Sequence, residues 1–105
     1  MDEKDKAVIT ERYERRLSEY GAVPQALGWF KGRQNFRFHY LAGVDGLQPQ
    51  DSILDVGCAF GDLFSYMRGR GWHGRYLGVD IVPGLIREGK DKYPVSYTHL
   101  TLPTN

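Results

Sequence analysis

From Glu3 to Tyr20, charged residues of both signs are interleaved with Val8, Ile9, Tyr13, Leu17 and Tyr20 at helical spacing. The pattern predicts one amphipathic helix with a solvated face of Glu, Lys and Arg. Gly21, Pro24 and Gly28 in "GAVPQALGW" break it. Apolar periodicity resumes from Arg33 to about Val44, with Phe36, Tyr40 and Val44 on one stripe, and predicts a second helix. "DGLQPQD" then reads as a loop.

The pattern changes at Ile53. The run Ile53 to Val56 is short and apolar apart from Asp55, and it is bounded by a loop and a glycine. That predicts a buried strand of a parallel sheet. A helix follows over Asp62–Arg70, with Leu63, Tyr66 and Met67 facing inward and Gly69 and Gly71 ending it. "RYLGVD", Arg75 to Asp80, is a second strand. A further helix starts at Pro83, a residue favoured in a first turn, and runs to about Tyr93. The order is that of an α/β fold: a helical cap over residues 1–50, then a βαβ unit and its following helix over residues 51–94.

The last stretch, "VSYTHLTLPTN", stands apart. It resembles a read-through peptide that arises when adapter sequence is joined to a truncated gene, so residues 95–105 are expected to be a non-native tail. The competing reading is a native third strand with a disordered end.

Composition adds mainly exclusions. The chain has 105 residues, 41% hydrophobic and 26% charged, which is ordinary for one soluble domain or part of one. A formal net charge of +1 gives no nucleic-acid signal. No apolar run approaches a membrane span, and the N-terminus lacks a secretory pattern. One cysteine, Cys58, forms no internal disulfide, and no Cys/His cluster has zinc spacing. A cytoplasmic, metal-free protein is expected.

The candidate chemistry lies in "SILDVGCAFGDL". Gly57 and Gly61 sit where a strand turns into a helix, and the missing Cβ lets backbone approach a ligand. The dinucleotide fingerprint would require a last glycine where Asp62 stands. Asp55 and Asp62 would offset the attraction of the helix amides for a pyrophosphate, typically about 0.3–1 kcal/mol per charge; Asp62 reads equally as an N-cap or first-turn acid and as a ligand contact. Asp80 ends the second strand a little over twenty residues beyond the turn, where α/β folds place an acid for ribose hydroxyls. An adenosine carrying a sulfonium and an amino-acid group satisfies all three features.

At these residues the chain resembles the class I S-adenosylmethionine-dependent methyltransferases. "ILDVGCAFGDL" is similar to their first motif and "YLGVDI" to their second, so the resemblance covers about Asp51 to Tyr93. It implies a Rossmann-like doubly wound parallel sheet, here incomplete, and S-adenosyl-L-methionine as cofactor. By position, Asp55, Gly57, Cys58, Ala59 and Gly61 would line the methionine side. Asp80 would hold the ribose and Ile81 would pack on the adenine. Ala59 departs from the commoner middle glycine, which narrows the turn without blocking it. "GWFKGRQNFRFHYL" also looks like a pre-motif helix, from which Lys31, Arg33, Gln34 or Arg37 would reach the cofactor carboxylate.

The implied reaction is methyl transfer to an acceptor that the sequence does not identify. Because the family places its acceptor and base residues after later strands, the chain alone is expected to be inactive. It is also expected to be poorly soluble or partly unfolded, since the first strand would have a bare edge. The catalytic residues and the oligomeric state stay open. His39, His73 and His99 have no neighbour that marks a general base. The alternatives are an NAD(P)- or FAD-binding oxidoreductase fragment, a non-catalytic cofactor-binding module and an aminopropyl transferase of the same fold.

Overall fold

A computed structural model describes residues 2–28, 33–43, 46–94 and 98–101. Helix α1 spans Glu3–Tyr20, capped by Asp2, whose side chain accepts from the Asp5 amide at 2.8 Å. A 3-10 turn at Pro24–Leu27 follows and buries Ala26 completely. Helix α2 is Arg33–Ala42, β1 is Ile53–Val56 and α3 is Asp62–Gly69. Strand β2 is Tyr76–Asp80, α4 is Pro83–Lys92 and β3 is Thr98–Thr101. The strands form one parallel sheet in the order β1-β2-β3. Among the described residues the architecture is α/β: a three-stranded parallel sheet with α3 and α4 between its strands, preceded by α1 and α2.

Two apolar clusters hold the chain together. The first joins Phe64 and Met67 of α3 to Trp72 and Tyr76, with Ile53, Leu47 and Ala42 against them. Arg68 pins this side: its guanidinium donates to Trp72 O at 3.1 Å and Gly74 O at 3.0 Å while stacking on Phe64 and Trp72. The second cluster is built by Phe60, Val82, Leu85 and Ala26. Ile9, Tyr13 and Leu17 of α1 pack on it, so the helical stripe faces α4 as its periodicity requires. Glu14 completes the contact by accepting from the Gly84 amide at 3.0 Å, which satisfies a first-turn donor of α4 across 70 positions of sequence.

Two expectations about burial fail. Phe36 and Tyr40 do not form the inward stripe of α2; they are exposed, and Gln34 is the buried residue of that helix. The inner face is rotated because α2 packs on α3, where Phe38 meets Tyr66 with ring centroids 5.5 Å apart. Val44 lies outside the described residues. Nor is β1 buried on both sides. Ile53 and Asp55 are half-buried, but Leu54 is 63% and Val56 70% exposed, because no described element covers that face. Strand β3 comes from the segment set apart as a tail, and it pairs in parallel with β2 from Leu77↔Thr98 to Asp80↔Thr101.

Candidate ligand-binding cleft

The turn between β1 and α3 is fixed by backbone hydrogen bonds. The Gly57 and Cys58 amides both donate to Val79 O, at 2.8 and 3.0 Å, so the turn hangs from β2. Gly57 and Gly61 adopt φ of +75° and +86°, a region where a Cβ is strained. Ala59 sits there too, at φ +53°. Its amide donates to Asp80 Oδ2 at 2.9 Å, a charge-assisted bond that holds the strained residue in place. Asp80 Oδ1 accepts from the Val82 amide at 3.0 Å. One buried carboxylate therefore ties together the two strand-to-helix turns.

Above these turns lies a cleft of about 940 Å³. Asp55, Gly57, Cys58, Ala59, Asp80 and Ile81 all line it, which brings together six of the seven residues expected at the site. Gly61 does not line it. It is buried as the N-cap of α3 and shapes the turn from behind. Gln34 and Arg37 line the cleft from α2; Arg33 is not among the lining residues, and Lys31 lies outside the described residues. The remaining wall is mostly apolar, including Ile9 and Tyr13 of α1 and Leu63 and Met67 of α3.

The two cleft carboxylates differ in their partners. Asp55 accepts from the Tyr76 hydroxyl at 2.6 Å. Burial pushes its carboxyl above the ordinary value of 3.8; the Tyr76 hydrogen bond opposes this and the charge of Asp80 adds to it. Burial also pushes the Cys58 thiol far up, helped by Asp55 and Asp80, so it stays protonated and is no nucleophile. Its sulfur fills the space beside Gly78, where an added Cβ would come within 2.8 Å of Sγ.

Of the two roles open to Asp62, the structure shows the first-turn acid: it does not line the cleft, and it accepts from Lys92 Nζ at 2.7 Å and from the Tyr93 hydroxyl, locking the start of α3 to the end of α4. Its charge is therefore matched within the fold and does not repel an anion at the turn. Two residues were missed by the sequence reading. Phe60, completely buried, is the anchor of the turn, and its one signal was an aromatic inside a glycine-rich loop. Tyr76 is the partner of Asp55, and nothing in the local pattern announces that pairing.

Among the described residues, no group of three or more His, Cys, Asp or Glu could hold a metal ion, and no helix is long and apolar enough to cross a membrane. No family model matches the chain. It is 42% identical over 36 residues to the Mycobacterium tuberculosis protein named "Putative methyltransferase Rv1506c", a match covering 34% of this chain and 22% of that protein. The crystal structure of the plantazolicin methyltransferase BamL, in complex with a triazolic desmethylPZN analog and SAH, is similar over 91% of this chain and 41% of that one. With a TM-score of 0.46 and 18% identity, that likeness decides nothing about fold or ligand. The chain thus spans about a fifth of the curated relative it matches, and what the two motifs and this match identify is a similarity to the class I S-adenosylmethionine-dependent methyltransferases.

Proposed function

We propose that this chain is the cofactor-binding N-terminal part of an S-adenosylmethionine-dependent methyltransferase, and that the 105 residues alone do not turn over. One observation carries the reading: Asp55 and Asp80, on neighbouring strands, share a cleft with the Gly57–Ala59 backbone. Two acids around a strand-to-helix turn disfavour a pyrophosphate and suit a ligand with a cationic centre and vicinal hydroxyls. The charge match of Asp62 weakens that electrostatic case by one carboxylate but leaves the two in the cleft.

On this reading the Gly57, Cys58 and Ala59 backbone lies against the methionine part. Asp80 accepts ribose hydroxyls with the lone pairs left over from its bonds to the Ala59 and Val82 amides. Ile81 supplies an apolar surface for the adenine. Gly61 acts by holding the turn and touches no ligand. When bound, the cofactor supplies a methyl group already activated by its sulfonium. The chain's own residues orient that group and keep water from it. The acceptor, of unassigned class, and residence in the cytoplasm belong to the same reading. So does a foreign origin for residues 95–105, which sequencing the locus downstream of the Pro94 codon tests directly.

Titrating the chain with S-adenosylhomocysteine and with NAD separates the rivals. S-adenosylhomocysteine is expected to bind, and Asp80→Ala to abolish that binding. Preferential binding of NAD would sink the proposal in favour of an oxidoreductase fragment.

A further inference from the structure

Away from the cleft, a second concavity lies where the C-terminal half of α1 meets the 3-10 turn. Gly21, at φ +79°, reverses the chain, and Pro24–Leu27 packs back along the helix before it. The space between them measures about 390 Å³ and is lined by Arg12, Arg15, Arg16, Glu19, Gln25 and Gly28. Three guanidiniums there meet one carboxylate. Arg15 is already matched by Glu11, 3.3 Å away. Among the described residues, Arg12 and Arg16 form no ion pair, and Glu19 bonds to neither. Like charges four positions apart on a helix oppose each other by about 0.2–0.5 kcal/mol, and a bound anion would relieve that repulsion.

Arg16 is also held in place. Its guanidinium carbon stands 5.5 Å from the centroid of the Tyr13 ring, which packs on the apolar cluster around Phe60. It rests against Gly28 as well, where an added Cβ would come within 3.3 Å of Arg16 Nη1. Half-buried and stacked, Arg16 has little side-chain freedom left to lose on binding. Arg12 stands one turn earlier on the same wall, and the Gln25 amide adds a donor from the 3-10 turn. Two planar forks and an amide suit the several oxygens of a phosphate group better than a single carboxylate. The small, mainly polar space suits a compact ligand. We propose that Arg12 and Arg16, with Gln25, bind the phosphate group of a small soluble phosphate ester. The proposal is independent of what the cleft binds.

Proton–nitrogen correlation NMR of the chain, titrated with inorganic phosphate against sodium chloride at matched ionic strength, tests this. Phosphate is expected to give saturable shifts at the C-terminal half of α1 and at Gln25 and Gly28. Arg12→Gln should weaken phosphate about tenfold, the size of one lost hydrogen bond to a charged group. Arg12 is exposed, so this change leaves the fold intact. Arg16→Lys, which keeps the charge and loses the planar fork, should weaken it as well. Arg75→Gln removes the same charge just before β2, outside the concavity, and should leave binding unchanged. Equal weakening by Arg12→Gln and Arg75→Gln, no weakening by Arg12→Gln or Arg16→Lys, or shifts that chloride reproduces would overturn the proposal. So would retention on anionic lipid vesicles without saturable binding of phosphate, which would make these arginines a diffuse charged surface.

Discussion

Strands β1 and β2 lie side by side, paired from Ile53↔Tyr76 to Val56↔Val79, and each carries an acid into the same cleft. Their surroundings differ sharply. β2 has a strand on each side and is buried at every position except Leu77, whereas β1 has one strand partner among the described residues and exposes Leu54 and Val56. The acids follow suit. Asp80 is buried and engaged through both oxygens by backbone amides, while Asp55 is half-buried and held by one hydroxyl. Local sequence does not make β2 the stable strand: burial comes from its neighbours, and apolar character is only the condition for it.

Substitutions on the two strands should keep that difference, beginning with the largest effect. Gly78→Ala in β2 would place a Cβ 2.8 Å from Cys58 Sγ and 2.9 Å from the Tyr76 ring. Both neighbours are buried and one of them must shift, so a loss of about 2–3 kcal/mol is expected in urea unfolding. Tyr76→Phe strips Asp55 of its hydrogen bond and should cost about 1 kcal/mol at neutral pH. It also moves a pH window. Because the folded-state value of Asp55 is raised, its contribution to stability is fully present below 3.8 and lost as pH rises through the raised value. Removing the opposing hydrogen bond displaces that loss to higher pH, and unfolding curves across the acidic range would reveal it.

Ala59→Gly should raise stability, by about 0.5–1 kcal/mol, because glycine accepts a φ of +53° without the Cβ penalty. Thermal melts of the two proteins decide it; a lower melting temperature would mean that the alanine methyl makes a compensating contact. The smallest effect is expected on β1. Leu54→Lys, on the uncovered face, should change stability by under about 0.5 kcal/mol while reducing self-association in light scattering. A loss as large as that of Gly78→Ala would show that this face is covered after all.

What the sequence could reveal followed the range of each signal. Helix α1 was legible to the residue, since its charge pattern, periodicity and Gly21 are all local. So were β1 and the start of α4, where a loop or a proline marks the change. The cleft was legible in outline, because six expected residues belong to two short motifs that a parallel sheet must bring together. The role of Asp62 stayed open in the sequence because its partners, Lys92 and Tyr93, lie thirty positions on and leave no trace near it. The inner face of α2 was misread for the same reason. Its aromatics outnumber its inward positions, and the packing of α2 on α3 decides which of them turn outward.

The bond from Glu14 to the Gly84 amide also sets an order of assembly. During synthesis α1 leaves the ribosome first, yet its anchor is made some seventy residues later, when α4 begins to wind. Until then the apolar stripe of α1, which has no fully buried residue even in the finished fold, has only Ala22, Ala26 and Leu27 of the segment just after it to close upon. The glycine turn and both its strands precede Val82 and Leu85 in the chain, so the surface on which Ile9 and Tyr13 complete their wall of the cleft is synthesised only after them.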